Sequence, residues 1–250
     1  MTQNIYDDPM FFANYGRLPR SLAGLDAAPE WPTLRALLPP IAGLDIVDLG
    51  CGYGWFCRWA RAQGARRVVG IDVSHKMLER ARATTTDPGI LYLRADLERL
   101  ALAAGRFDLA YSSLALHYVE DLAGVFASLA AALVAGGRLV FSVEHPIFTA
   151  PSHPGWSLAR DGGKTWPIDN YLSEGLRRTD WLAEGVIKYH RTVATYVNLL
   201  IEQGFVLSRI VEWGPTDAQV AATPSLADER ERPPFLIVAA GNDQRLIAAP

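Results

Sequence analysis

The chain has 250 residues, half of them hydrophobic, and a formal net charge of -3. That suffices for one sizeable core, and the lack of a basic stripe argues against a nucleic-acid partner. No apolar run is long enough to span a membrane, no signal peptide is recognisable, and Cys51 and Cys57 define no disulfide framework, so a reduced, cytoplasmic setting is expected.

Residues 1–40 place Tyr6, Phe11, Phe12 and Tyr15 among turn residues, then a helical stretch over Pro29–Leu38 halted by Pro39-Pro40. We read an N-terminal arm packed on the fold, with Tyr6 and Tyr15 placed to help close a site. Next, Ile46, Val47 and Leu49 suit a strand buried on both faces. Gly50, Gly52 and Gly54 then let the chain turn tightly and a ligand lie against backbone, and Tyr53, Trp55, Phe56, Trp59 and Ala60 suit a helix packed back on the sheet. No Lys-Ser/Thr follows these glycines, so a P-loop is excluded, and the spacing G-x-G-x-G meets only half of the dinucleotide fingerprint. Asp48, two residues before Gly50, suits a positively charged ligand better than a phosphate.

Arg67–Val73 reads as a second strand. Asp72, 20 residues after Gly52, stands where an acid accepts from both ribose hydroxyls, and Ser74 is a natural N-cap for the helix carrying Met77, Leu78 and Ala81. Ile90–Arg94 and Phe107–Ser112 are the third and fourth strands. An alanine-rich helix over Leu122–Val134, stopped at Gly136-Gly137, leads into the fifth over Arg138–Val143. From Glu144 to Tyr189 the rhythm stops; prolines and the aromatics Trp156, Trp166, Tyr171, Trp181 and Tyr189 crowd an insertion that we read as a lid over a ligand pocket, with a homodimer contact as the alternative use of the same side chains. A helix to Gln203 and strands at 204–211 and 233–240 close the chain. The arginine pairs Arg66-Arg67 and Arg177-Arg178 read as solvated charges.

Val47-Asp-Leu-Gly-Cys-Gly-Tyr-Gly54 resembles motif I of the class I, Rossmann-like S-adenosylmethionine-dependent methyltransferases. Ser113-Leu-Ala-Leu-His-Tyr-Val-Glu-Asp and Leu133-Val-Ala-Gly-Gly-Arg-Leu-Val-Phe-Ser are similar to later motifs of the small-molecule, quinone-biosynthesis type. The resemblance implies an α/β fold: a doubly wound, mostly parallel seven-stranded sheet with an antiparallel last strand, helices on both faces and the lid insertion after strand five. We expect a single methyltransferase domain over 1–250, divided into an arm (1–40), a cofactor-binding core (41–144), the lid (145–189) and a C-terminal helix and strand pair (190–250).

The implied cofactor is S-adenosyl-L-methionine. It is expected against Asp48, Gly50, Cys51, Gly52, Gly54, Trp55, Val73, Met77 and Leu97, with Asp72 at its ribose, Asp96 at the adenine, and Ser112 and Ser113 beside the methionine part. Its expected partner is a small, partly hydrophobic acceptor, with neither nucleic acid nor membrane involved. His145 is the candidate general base, since a neutral imidazole can take a proton near pH 7; His117 at the mouth of the site orients substrate, acts as a base or packs. Arg177 or Arg191 is a further candidate for holding an acidic group. No metal site is expected, because the histidines are scattered without ligand spacing, and no Ser hydrolase, because G-x-S-x-G is missing. Three rivals remain: an RNA or protein methyltransferase, an NAD-dependent dehydrogenase, and a protein that holds the cofactor without turnover.

Overall fold

A computed structural model describes residues 2–243 apart from 159 and 161; the end of the expected C-terminal segment, 244–250, lies outside the described residues. In chain order the helices are α1 (Pro9–Tyr15), α2 (Pro19–Ala23) and α3 (Trp31–Leu37), followed by β1 (Asp45–Leu49), α4 (Trp55–Ala62), β2 (Arg67–Asp72), α5 (His75–Ala83), β3 (Ile90–Arg94), β4 (Phe107–Ser113), α6 (Leu122–Ala132) and β5 (Leu133–Glu144). The insertion holds α7 (Pro146–Thr149), β6 (Ser157–Leu158), β7 (Lys164–Thr165), β8 (Gly175–Trp181) and β9 (Ala183–His190). The chain then forms α8 (Val193–Glu202), β10 (Phe205–Trp213), α9 (Asp217–Ala222) and β11 (Phe235–Asn242).

Seven strands make one sheet in the order β10-β11-β5-β4-β1-β2-β3. All pairs are parallel except those of β11, which runs antiparallel to both β5 and β10. The expected doubly wound sheet with its antiparallel last strand is therefore present. Alternation along the strands explains how it is covered. Val47, Leu49, Leu139 and Phe141 join one apolar cluster with α6 and α8. Ile46, Leu109, Tyr111 and Val140 join another on the opposite face with α3, α4 and α5. Such two-sided burial is what turns a strand sequence into a near-continuous apolar run.

Three expectations need correction. Helix α6 stops at Ala132, and the chain enters β5 at once; the register jumps from Phe107 opposite Leu133 to Leu109 opposite Arg138. Gly136, at a φ of +77°, thus lies in a bulge of the strand and not at a helix stop. The second half of the insertion is not irregular: β8 and β9 form a hairpin that turns at Leu182, a residue at φ +61°. Arg66 is not merely solvated; its guanidinium binds the buried Asp45 at 2.7 Å, where Arg106 also binds at 2.5 Å. Among the described residues no helix is long and apolar enough to cross a membrane.

Candidate active site

The strand order reverses at β1, which pairs with β2 on one side and β4 on the other. The helices that follow β1 and β4 cover opposite faces, so the loops part above the strand ends. Open α/β sheets hold their ligands at such a point. A cavity of about 330 Å³ lies there, lined by Gly50, Gly52, Asp72, Val73, Met77, Asp96, Leu97, Ser113 and His117 together with Tyr6, Tyr15, Tyr118, Glu144, Phe148, Trp181 and Arg232. A smaller cavity of about 100 Å³ shares Gly50, Gly52 and Ser113 with it and adds Asp48, Cys51 and Trp55.

The glycine loop is tied to the end of β2, because the Gly50 and Cys51 amides both donate to Ile71 O, at 2.8 and 3.0 Å. Gly50 sits at φ +70°, and a Cβ there would strike Ala115; Gly54 sits at φ +72°, and a Cβ there would strike the Tyr92 hydroxyl. Glycine at these two positions answers both the left-handed backbone and the close approach.

The acids behave differently according to their surroundings. Asp72, at the end of β2, accepts from the Gly52 and Ser74 amides, each at 2.9 Å. Burial nevertheless pushes its carboxyl up to about 6. Asp48 lies beneath the loop, with the Cys57 thiol donating to it at 3.2 Å; burial, reinforced by the charge of Asp72, pushes it up to about 7. At Asp96 burial also raises the pKa, but bonds from Thr2 Oγ1 at 2.7 Å, Glu98 N at 3.1 Å and Thr2 N at 3.1 Å outweigh it and hold the carboxyl below its ordinary value. Ser74 caps α5 as expected, accepting from Met77 N at 3.1 Å.

At the other end of the cavity, Glu144 receives the ammonium of the buried Lys188 at 2.6 Å. That ammonium also lies over the rings of Trp181 and Tyr118, at 5.0 and 6.0 Å. His117 is 2% exposed; its Nδ1 accepts from Glu144 N at 3.4 Å. Burial, with help from Lys188 and Arg191, pushes the ring down to about 4, so it is neutral at pH 7. The Arg232 guanidinium pairs with Glu229 and is enclosed by Trp166, Phe148 and Trp156, at 4.1, 4.5 and 5.4 Å from its centre.

Residues 47–141 match the family described as a methyltransferase domain. The solved S-adenosylmethionine-dependent methyltransferase of Mesorhizobium loti is 60% identical, with a TM-score of 0.85 over 87% of this chain and 100% of that one. This chain belongs to the S-adenosylmethionine-dependent methyltransferases. An uncharacterized protein of Haemophilus influenzae is 33% identical over 95% of the chain and 96% of its own length. A malonyl-[acyl-carrier protein] O-methyltransferase of Pectobacterium atrosepticum is 37% identical over 109 residues, 44% of this chain and 42% of that protein.

Within this methyltransferase, several expected site residues stand elsewhere than the sequence suggested. His145 does not line the cavity. It is 1% exposed. Its Nδ1 accepts from Ile147 N at 3.0 Å and its Nε2 meets Glu212 Oε1 at 2.9 Å, so neither ring nitrogen is left to take a substrate proton. Ser112 is fully buried, and its hydroxyl donates to Leu49 O at 2.8 Å, joining β4 to β1; it is Ser113 that reaches the cavity. Gly54 shapes the start of α4 without lining either cavity. Arg191 is committed to Val119 O at 2.8 Å, and Arg177 to Ser173 O at 2.6 Å. Of the cavity's lining, Tyr118, Glu144, Phe148 and Arg232 were not among the expected site residues, nor was Lys188, which pairs with Glu144 from behind. Adjacent strand residues face opposite ways, so Glu144-His145 could deliver only one of its two side chains to the cavity, and it delivers the glutamate.

Proposed function

We propose that this methyltransferase transfers a methyl group to a small, partly hydrophobic acceptor, with S-adenosylmethionine held along the glycine loop and the acceptor under the insertion. Asp72 accepts from the ribose hydroxyls, Asp96 lies at the adenine, with Val73, Met77 and Leu97 beside the ring, and Gly50, Gly52 and Ser113 flank the methionine part. The fit is chemical: Asp72 is a buried carboxylate with only backbone donors on it, and two hydroxyls would supply the bonds that burial otherwise denies it. When bound, S-adenosylmethionine supplies an already activated methyl group. The chain's own task is to exclude water and to hold the acceptor in line at near-contact distance.

The observation that carries the acceptor class is the wall of the far end of the cavity, made of Tyr6, Tyr118, Phe148, Trp181 and Phe235. Such a wall, with Glu144, His117 and Arg232 lining the same cavity, suits a small ligand with apolar surface and some polar groups. The malonyl-[acyl-carrier protein] O-methyltransferase relatives support a non-nucleic-acid acceptor, although their match covers under half of this chain. Incubation with methyl-tritiated cofactor and separated cell fractions tests the reading: label should enter the small-molecule fraction. Label confined to RNA or protein would overturn it, and binding of NAD in place of S-adenosylmethionine in equilibrium dialysis would remove the cofactor assignment as well.

A further inference from the structure

Resting on that reading of the cavity, we propose that Glu144 and His117 form a paired recognition site for a hydroxyl group on the acceptor, with Lys188 holding the glutamate from behind. Glu144 ends β5 and lines the main cavity. One of its carboxylate oxygens, Oε1, is taken by Lys188 at 2.6 Å, and the other, Oε2, is buried with no hydrogen-bond partner among the described residues. A buried carboxylate oxygen without a partner is costly, and native structures rarely leave one unless a ligand or water completes it. Lys188 does not itself line the cavity; it holds the glutamate from behind through the 2.6 Å ion pair.

His117 supplies the complementary half. It lines the same cavity, and its Nδ1 accepts from the backbone amide of Glu144. A neutral imidazole that accepts at one nitrogen carries its proton on the other, so Nε2 is a donor. The two neighbouring side chains therefore offer one acceptor and one donor. A hydroxyl matches both at once, donating to Glu144 Oε2 and accepting from His117 Nε2. An ether can only accept. An ionised carboxylate would bring a second negative charge against Oε2, which like-charge repulsion in a buried site opposes. Glu144 is thus a specificity-determining residue, and the acceptor class is a hydroxyl-bearing compound with an apolar body.

The test uses full-length protein loaded with S-adenosylhomocysteine and calorimetric titration with three probes of similar shape: phenol, anisole and benzoate. Phenol should bind at least fivefold more tightly than the other two. In Glu144→Leu, which removes both accepting oxygens, that preference should vanish while the affinity for S-adenosylhomocysteine stays within twofold of the wild type, which shows that the variant is folded. Glu144→Asp, which keeps the carboxylate but shortens its reach, should retain the sign of the preference at reduced size. Phenol bound no better than anisole or benzoate, or a preference that survives in Glu144→Leu, would overturn the proposal. Failure to bind S-adenosylhomocysteine at all would instead strike the cofactor reading on which it rests.

Discussion

Asp72 does two jobs with one carboxylate: it closes the turn after β2 on Gly52 and Ser74, and it faces the cavity. Burial raises its pKa to about 6, above the ordinary value of an aspartate. Between roughly pH 4 and 6 the folded protein therefore holds a proton that the unfolded chain releases, so this group's contribution to stability is complete at low pH and is lost as pH rises through about 6, a difference of about 3 kcal/mol. Cofactor binding draws on the same equilibrium with the opposite sense. To accept from two ribose hydroxyls the side chain must be ionised, so below about pH 6 binding must expel a proton. Affinity for S-adenosylhomocysteine should be flat above about pH 7 and weaken towards tenfold per unit below about pH 6, and Asp72→Asn should abolish the slope along with much of the affinity. Calorimetry from about pH 5 to about pH 8 checks this; an affinity independent of pH in the wild type would remove Asp72 from the ribose contact.

At the scale of elements, the end of β5 decides how much of the site could be read in advance. Glu144 lines the cavity, while His145 turns away to cap α7 and to reach Glu212 on β10. His145→Ala should therefore act on stability, by about 1–2 kcal/mol: the lost cap counts most, since Glu212 is largely exposed and its pair with the imidazole adds little. Urea denaturation should show the loss, and cofactor affinity should not change; wild-type stability with turnover abolished would restore the histidine to the chemistry. The glycine loop and Asp72 after β2 were legible from local spacing, whereas Asp96 after β3 was placed only by the resemblance to the family's motif order. The β8–β9 hairpin was not legible, since its buried positions are Val186, Lys188 and His190, a mixture that shows no apolar alternation. The bond between Thr2 and Asp96 was equally hidden, because the two residues are 94 positions apart and nothing in either segment announces the other.

Across the whole molecule, the arm is the strap that joins the two ends of the cavity. Thr2 is bonded to Asp96, and Asp7 accepts from Ser74 Oγ at 2.6 Å, Lys76 N at 3.0 Å and His75 N at 3.2 Å, at the start of α5. The same segment reaches the insertion: Gln3 exchanges two hydrogen bonds with the β9 backbone, to Gly185 O at 3.1 Å and from Ile187 N at 2.9 Å, and Asn14 donates to Leu182 O at 2.9 Å. Phe11, fully buried, packs edge-on against both Trp181 and Tyr6. The hairpin thus has its inner face covered by a segment that is also anchored over the cofactor half, and opening one end requires loosening the other. Deleting residues 1–15 should accordingly speed release of S-adenosylhomocysteine by an order of magnitude or more, since closure over a ligand acts mainly on its dissociation rate. It should also raise amide hydrogen exchange in β8, β9 and the first turn of α5, while β1, β4 and β5 in the sheet centre keep their protection. Stopped-flow release measured beside exchange separates the two effects. Faster release with an unchanged hairpin would confine the arm to the cofactor half, whereas the coupled change expected here follows from one segment bonded to both.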